Sequence, residues 1–300
     1  MSKRTKHIVE YALLRTVTGV VAILPRGLAF VLVWPLARLS YCFMGKRVHE
    51  ARRRMRQVFG EHVDEKQLKR WAWISWRNIF FNVVEISRTP RWKKESLLDV
   101  IDHQSIQTCM DYQKSKGGFT IAVSHMGNWE LAGVGVRMLG LPIFVMMRGQ
   151  TNPYVTNYLN RIREQLGVGA IERHSRALGS IIKRIRAGEV FTILPDLRAK
   201  SPDGAILTPF LGGNAYLNAG MALFARHTDT PIFPVIVVRK GWMRHALDVQ
   251  TPIYPDQSLD KDADIARMTA EVMAIFDRAI RKHPEQYFWY NKRWVLDDRF

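Results

Sequence analysis

The hydrophobic pattern over the second two thirds of the chain predicts alternating strands and helices. Short apolar runs rich in β-branched residues have the length of buried strands. These runs lie at residues 119–124, 142–147, 169–172, 190–194, 232–238 and 245–250. Apolar residues recur with helical spacing at 103–115, 129–139, 153–166, 175–187, 215–227 and 261–283. The repeated strand-helix units predict an α/β fold with a mainly parallel central sheet flanked by helices.

Residues 8–44 follow a different pattern, in which two apolar runs are separated by a basic, helix-breaking triplet. Each run is about half of the roughly 20 residues that a bilayer-spanning helix needs. Residues 25–27 (Pro-Arg-Gly) would break a continuous helix, and Arg26 inside the apolar region argues against a signal peptide. A tilted single span and a buried helix of a soluble domain remain as alternatives. The pattern favours a pair of helices in or on the membrane, with Trp34 at headgroup level.

Two helical segments connect this region to the strands. Residues 46–56 form a basic run, which beside a membrane segment suits anionic lipid. Residues 64–88 form an amphipathic helix that ends before Pro90. No internal repeat or low-complexity linker follows. We therefore expect a membrane-associating helical extension over residues 1–58 and one catalytic domain over residues 59–300.

The charge of the chain narrows the classes of partner. Its 300 residues include 45 Lys and Arg against 27 Asp and Glu, a formal net charge of +18. Such an excess suits anionic lipid headgroups, nucleic acid or an acidic protein. The arginines concentrate beside apolar segments and no nucleic-acid-binding motif occurs, so no nucleic-acid partner is expected. Cys42 and Cys109 form no metal or redox motif and indicate a reducing compartment.

An imidazole and a carboxylate follow one of the predicted buried strands. The predicted strand at 119–124 ends at Ser124 and leads into His125, and Glu130 lies in the first turn of the next predicted helix. Open α/β sheets bind their ligands at the carboxyl ends of strands. We expect His125 to act as a general base that Glu130 orients. Because no nucleophile elbow surrounds Ser124, the proton would come from a substrate hydroxyl.

Other polar residues are predicted at the same edge of the sheet. Arg148 follows the strand at 142–147 and suits a phosphate or carboxylate, whereas Arg161 is interpreted as a solvated helix residue. Asp196 ends the strand at 190–194 and should reach the same edge as His125, unless it only caps a loop. Asn128, at the start of a helix, is a candidate for substrate binding near a developing oxyanion or phosphate. The His and Cys spacings predict no zinc site.

These pieces together resemble the lipid A biosynthesis acyltransferase family, the lauroyl and myristoyl transferases of the lysophospholipid acyltransferase superfamily. The resemblance covers nearly the whole chain, and its most specific part is residues 124–131 (SHMGNWEL). Further matching segments are residues 148–152 (RGQTN), 188–190 (GEV), 194–196 (LPD), 210–213 (FLGG), 231–235 (PIFPV) and 284–294 (PEQYFWYNKRW). The chain departs from the family pattern at Leu197, where a glutamine is common, and at Asn291 and Lys292, where His-Arg is common.

The resemblance implies a glycerolipid-acyltransferase-like fold and an enzyme at the cytoplasmic face of the inner membrane. It implies that a fatty acyl group moves from acyl carrier protein or CoA to a hydroxyl of a glycolipid precursor, without a metal or other cofactor. By this match His125 is the catalytic base and Glu130 its partner, while Arg163 and Asp196 fall on functional positions. Acylation of another glycolipid or phospholipid, and a non-catalytic protein that binds anionic membranes, are the alternative hypotheses.

Overall fold

The computed structural model describes residues 2–147, 151–172 and 177–297. The helices in these ranges are α1 (Lys3–Ile23), α2 (Arg26–Phe43), α3 (Gly45–Phe59), α4 (Glu65–Arg88), α5 (Lys94–Leu98), α6 (Gln107–Lys116), α7 (Trp129–Met138), α8 (Pro153–Gln165), α9 (Ala177–Arg186), α10 (Gly220–Thr228) and α11 (Lys261–Lys282). The strands are β1 (Ile101–Asp102), β2 (Thr120–Val123), β3 (Ile143–Met147), β4 (Gly169–Glu172), β5 (Val190–Ile193), β6 (Ala205–Phe210), β7 (Gly213–Asn218), β8 (Ile232–Lys240) and β9 (Arg244–Val249). Three 3₁₀ turns accompany them at Thr89–Arg91, Gln104–Ile106 and Pro284–Gln286.

Seven of these strands form a mainly parallel sheet in the order β1-β9-β8-β2-β5-β3-β4. The strands from β8 to β4 run parallel to their neighbours, whereas β9 is antiparallel to β8 and β1 is parallel to β9. This topology confirms the predicted fold class. Because β2 lies between β8 and β5, the residues that follow β2 meet the ends of two other strands.

The alternating side chains of β2 reach two different hydrophobic cores. Ala122 packs into the core that contains Met221 of α10 and Met273 of α11. Ile121 lies in the core on the opposite face, together with Leu131 of α7. The helices on both faces therefore bury the central strand completely, as its apolar sequence predicts.

The N-terminal helices pack against α4 and leave much apolar surface outside. Phe30 of α2 meets Phe81 of α4 edge to face, with ring centroids 4.7 Å apart. Met55 of α3 is buried in the core that also contains α11. No described helix is long and apolar enough to span a bilayer by itself. Taken together, α2 and α3 have the length and composition of a span, but they are bent by 87° where they meet. The division of the chain at residue 58, and membrane association of the part before it, stay predictions.

The predicted secondary structure is wrong between residues 205 and 219. We expected a glycine-rich connection followed by a helix from residue 215, but β6 and β7 pair there as an antiparallel hairpin. The α10 helix begins only at Gly220. Ala215 and Leu217 are buried while Tyr216 between them is exposed, so the period is that of a strand. Small apolar residues occur both in β7 and at the start of α10, so the sequence alone does not show where the strand ends and the helix begins.

Candidate active site

His125 and Asp196 meet where two adjacent parallel strands end. His125 follows β2 by two residues and Asp196 follows β5 by three, and these strands pair in the sheet. The Nδ1 atom of His125 lies 2.7 Å from Oδ1 of Asp196, and the backbone N–H of His125 donates to Oδ2 over 2.7 Å. Asp196 is fully buried. The structure thus confirms the predicted common edge and pairs both carboxylate oxygens with one residue.

The carboxylate fixes the tautomer of His125. With its proton on Nδ1 and donated to Asp196, the imidazole presents an unprotonated Nε2. No residue in the described ranges forms a hydrogen bond with Nε2. His125 lines a cleft of about 1080 Å³ that also contains Leu207 of β6, Lys200 and Arg293. The arrangement is therefore that of a general base whose free nitrogen can reach a substrate in this cleft.

Tyr287 supports the backbone of Asp196. Its hydroxyl donates to the backbone oxygen of Asp196 over 3.3 Å. Burial, together with the neighbouring Asp196, raises the pKa of Tyr287 well above its ordinary value, so the phenol keeps its proton. Tyr287 lies in the segment 284–294 that resembles the family, but no local pattern around it indicates a place in the site.

The structure corrects the expected partner of the imidazole. Glu130, predicted to orient His125, instead accepts from Nη2 of Arg163 over 3.1 and 3.3 Å. Asn128 caps α7, so Glu130 lies in the first turn on the side that faces α8, and its side chain is 45 % exposed. The Nδ1 position is already taken by Asp196. If Glu130 takes part in catalysis, it therefore acts as the partner of Arg163 and without a hydrogen bond to Nδ1 of His125.

Asn128 and Arg148 are also predicted to bind the substrate. Asn128 is 1 % exposed; its Oδ1 accepts from the N–H of Leu131 over 3.1 Å and its Nδ2 donates to Glu85 over 2.7 Å. Its amide is therefore engaged in capping α7 and in the contact with Glu85, and its role in substrate binding stays a prediction. Arg148 lies outside the described residues, so its predicted role stays a prediction.

Backbone hydrogen bonds from the C-terminal segment, residues 284–294, hold the turn after His125. The N–H of Phe288 donates to the backbone oxygen of His125 over 2.8 Å, and the N–H of Gly127 donates to that of Gln286 over 3.1 Å. Gly127 has φ +63°, and a Cβ there would lie 2.4 Å from the backbone oxygen of Val237. The turn therefore requires glycine, both for its conformation and for its close approach to β8.

A buried ion network lies directly behind this turn. Glu85 of α4 accepts from Nη2 of Arg239 over 2.6 Å, and its other oxygen lies 2.9 Å from Nε2 of His245. The same carboxylate accepts from Asn128, the cap of α7. Burial alone would raise the pKa of Glu85, but Arg239 and His245 lower it to about 2. Glu85 thus joins α4, β8 and β9 to the helix that begins beside His125.

We expect Glu85→Gln to destabilise the fold by about 3–5 kcal/mol, because it leaves Arg239 buried without a carboxylate. The folded pKa of Glu85 is below the ordinary 4.5, so the carboxylate stabilises the wild type above pH 4.5. This contribution is lost as the pH falls from 4.5 towards 2, and the variant should lack that part of the pH dependence. Denaturant unfolding of the micelle-bound protein across this pH range measures both effects.

Glu271→Gln is the matched control for this substitution, since Glu271 pairs with Arg267 at the surface over 2.8 Å. We expect it to cost less than about 1 kcal/mol. Equal unfolding free energies for the Glu85 and Glu271 variants would contradict a structural role of the network.

An apolar pocket of about 400 Å³ lies beside the turn, between α1, α4, α7 and α8. Its wall includes the backbone of the turn at Gly127 and the rings of Trp129 and Phe288. Trp129 also stacks edge to face on His125, with ring centroids 5.0 Å apart. Glu130 and Arg163 are the charged residues of its lining. The size and lining suit a hydrocarbon chain that lies against the turn at Gly127.

Comparison with known proteins agrees with this geometry. The family model described as bacterial lipid A biosynthesis acyltransferase matches residues 1–295. The chain belongs to this family. Within the described residues of this acyltransferase, no group of three or more His, Cys, Asp or Glu side chains could hold a metal ion.

The relatives of this acyltransferase are distant but cover most of its length. It is 23 % identical over 280 residues to the lipid A biosynthesis palmitoleoyltransferase of Escherichia coli K12, covering 87 % of this chain and 88 % of the relative. It is 22 % identical over 273 residues to the lipid A biosynthesis lauroyltransferase of the same strain, covering 90 % of this chain and 86 % of the relative. A lipid A biosynthesis acyltransferase of Shigella flexneri is also 23 % identical. Family and relatives together make the protein an acyltransferase of lipid A biosynthesis.

Proposed function

We propose that this enzyme transfers a fatty acyl group from a thioester to a hydroxyl of a lipid A precursor, with His125 as the base. The observation that carries the proposal is the His125–Asp196 pair, with Nδ1 and Oδ1 2.7 Å apart, at the wall of the large cleft. The neighbouring apolar pocket supports a lipid substrate, since it can shelter a hydrocarbon chain beside the imidazole.

The reaction needs one proton transfer and one exchange of acyl groups. The Nε2 atom of His125 takes the proton of the acceptor hydroxyl as the oxygen attacks the thioester carbon. Asp196 stabilises the imidazolium that forms, through the hydrogen bond to Nδ1. The tetrahedral intermediate then expels the thiolate, which recovers the proton from Nε2. The products are an acyl ester and a free thiol, with no acyl-enzyme between them.

The tetrahedral oxyanion needs hydrogen-bond donors other than the backbone amides of the turn after His125. The N–H of Met126 donates to the backbone oxygen of Ser124 over 2.7 Å, and the N–H of Gly127 donates to Gln286. Both amides are therefore engaged within the protein. Lys200 and Arg293 line the cleft with His125 and supply positive charge for this purpose.

The proposal extends to the carrier that delivers the acyl group and to the surface by which the enzyme attaches to the membrane. The basic surface of the protein suits the acidic acyl carrier protein as well as the phosphates of CoA. The outer faces of α1 and α2 expose large apolar side chains, with Leu13 66 %, Ile23 70 % and Phe43 77 % accessible. These faces support attachment to the cytoplasmic side of the inner membrane.

Product analysis tests the proposed function. The purified protein is incubated with mixed acyl thioesters of carrier protein and of CoA, and with lipid A precursors or phospholipids as acceptors. We expect mass spectrometry to find a glycolipid heavier by one acyl group, formed in equal amount to the released thiol. Thiol release with free fatty acid as the product would contradict acyl transfer. An acylated phospholipid in place of the glycolipid would contradict the proposed acceptor.

A further inference from the structure

A second, polar pocket lies next to the apolar pocket and plays no part in the chemistry described above. It has a volume of about 290 Å³ and lies between α1, α8 and the end of α4. Three arginines line it, each from a different element: Arg15 from α1, Arg91 from the 3₁₀ turn after α4, and Arg161 from α8. Elements distant in sequence thus bring three guanidinium groups to one concave surface.

The positive charge of this arginine pocket has no acidic counterpart in its lining. None of the described residues that line it is Asp or Glu. Arg15 lies over the ring of Tyr158, with its guanidinium carbon 4.5 Å from the ring centre. Burial and the nearby charge of Arg91 lower the pKa of Arg88, which lies just outside the pocket. A lining with three cations and no carboxylate favours a multiply charged anion.

The arginine pocket and the apolar pocket share one wall. Thr18 of α1, Ser87 of α4, and Tyr158 and Ile162 of α8 line both of them. A ligand that occupies both pockets must therefore carry an anionic group close to a hydrocarbon chain. The apolar pocket in turn reaches the turn at Gly127, beside the catalytic histidine.

We propose that the arginine pocket binds the phosphate of a phosphorylated lipid whose hydrocarbon chain enters the apolar pocket. A phosphate presents several acceptor oxygens, which planar guanidinium groups bind in pairs. This binding mode rests on the proposed function, because the phosphorylated lipid would occupy the apolar pocket beside the site. Arg161 would then contact a phosphate in place of solvent. Two sources share this chemistry, namely the phosphate of the glycolipid acceptor and the headgroup of an anionic membrane phospholipid.

Binding of octyl phosphate tests the pocket without turnover. The full-length protein in dodecyl maltoside micelles is titrated calorimetrically with octyl phosphate and, as the neutral amphiphile of equal chain length, octyl glucoside. We expect the wild type to prefer octyl phosphate, and Arg15→Gln/Arg91→Gln/Arg161→Gln to bind it at least about tenfold more weakly. Arg278→Gln, an exposed arginine of α11, is the matched control and should bind as the wild type does. Equal affinity of the wild type and the triple variant for octyl phosphate would overturn the proposal.

Two further variants keep the test decisive. Arg91→Gln alone changes one exposed side chain and should weaken binding even if the triple variant does not fold. Replacement of the three arginines by lysine keeps the charge but removes paired hydrogen bonding, and should give an affinity between those of the wild type and the glutamine variant. If the lysine variant bound octyl phosphate more weakly than the glutamine variant, a site based on charge would be contradicted.

Kinetics and vesicle binding distinguish the two sources of the phosphate. If the acceptor supplies it, the triple variant has a raised KM for the phosphorylated acceptor and an unchanged KM for its dephosphorylated analogue. If a membrane headgroup supplies it, KM is unchanged, but sedimentation with phosphatidylglycerol vesicles falls. Either result supports the pocket. Octyl phosphate binding does not depend on acyl transfer, so failure of the pocket and failure of the proposed function give different results.

Discussion

His125→Ala is expected to lower kcat for acyl transfer by at least about 10²–10⁴-fold, the usual contribution of general base catalysis. Without the imidazole, the cleft lacks the Nε2 atom that takes the proton of the attacking hydroxyl. The side chain is only partly buried, with 16 % of it exposed, and its hydrogen bond to Asp196 is at the edge of the core. KM for the acyl donor should therefore change much less than kcat. Steady-state assays of thiol release in detergent micelles measure both constants.

The control for this substitution is His227→Ala on α10, where the residue is exposed and remote from the turn. It should retain the wild-type kcat. Circular dichroism establishes that both variants fold. A folded His125→Ala protein with near wild-type turnover would exclude His125 as the base.

Asp196→Asn is expected to lower kcat by about 10³–10⁴-fold, close to the loss seen when the orienting carboxylate of a Ser-His-Asp triad becomes an amide. The two oxygens of Asp196 accept from two different N–H groups of His125. An asparagine has one acceptor oxygen and one amide donor. If the oxygen keeps the backbone N–H, the amide donates to Nδ1 and the imidazole proton moves to Nε2. The ring then cannot take a proton from the substrate.

The matched control is Asp262→Asn, an exposed carboxylate of α11 that lines the same cleft. It changes the charge of the cleft without touching His125 and should alter kcat less than about tenfold. Nitrogen NMR of the imidazole shows directly which atom carries the proton. A proton that stays on Nδ1 in Asp196→Asn, together with full activity, would contradict the orienting role.

Local sequence was sufficient for most of the fold because the apolar periods are long and clear. The α4, α7 and α11 helices lie within a residue of the predicted bounds, and the sequence predicts all four strands from β2 to β5. The hairpin of β6 and β7 was missed because six-residue strands with small and polar members have weak periodicity. Pairing across the hairpin, which the sequence does not display, stabilises that conformation.

The site shows a similar limit on what local spacing can predict. Glu130 is close to His125 in sequence, and this suggested a partner that the start of α7 directs elsewhere. Asp196 is 71 positions away, yet the parallel pairing of β2 and β5 brings it to the imidazole. Its place at the same sheet edge followed from fold class; its hydrogen bond to Nδ1 required the register of two strands. Convergence of Arg15, Arg91 and Arg161 depends on how three helical elements pack and had no local signal.

Contacts of the C-terminal segment with the turn at His125 also bear on biosynthesis. Phe288 and Gln286 hold this turn, and Tyr287 supports Asp196, although about 160 residues separate the turn from them. A ribosome-bound chain can form β2, β5 and the helices between them before these residues emerge. His125 and Asp196 then lack the backbone partners that fix them. We infer that the nascent protein completes this site only after residues 286–288 have left the ribosome.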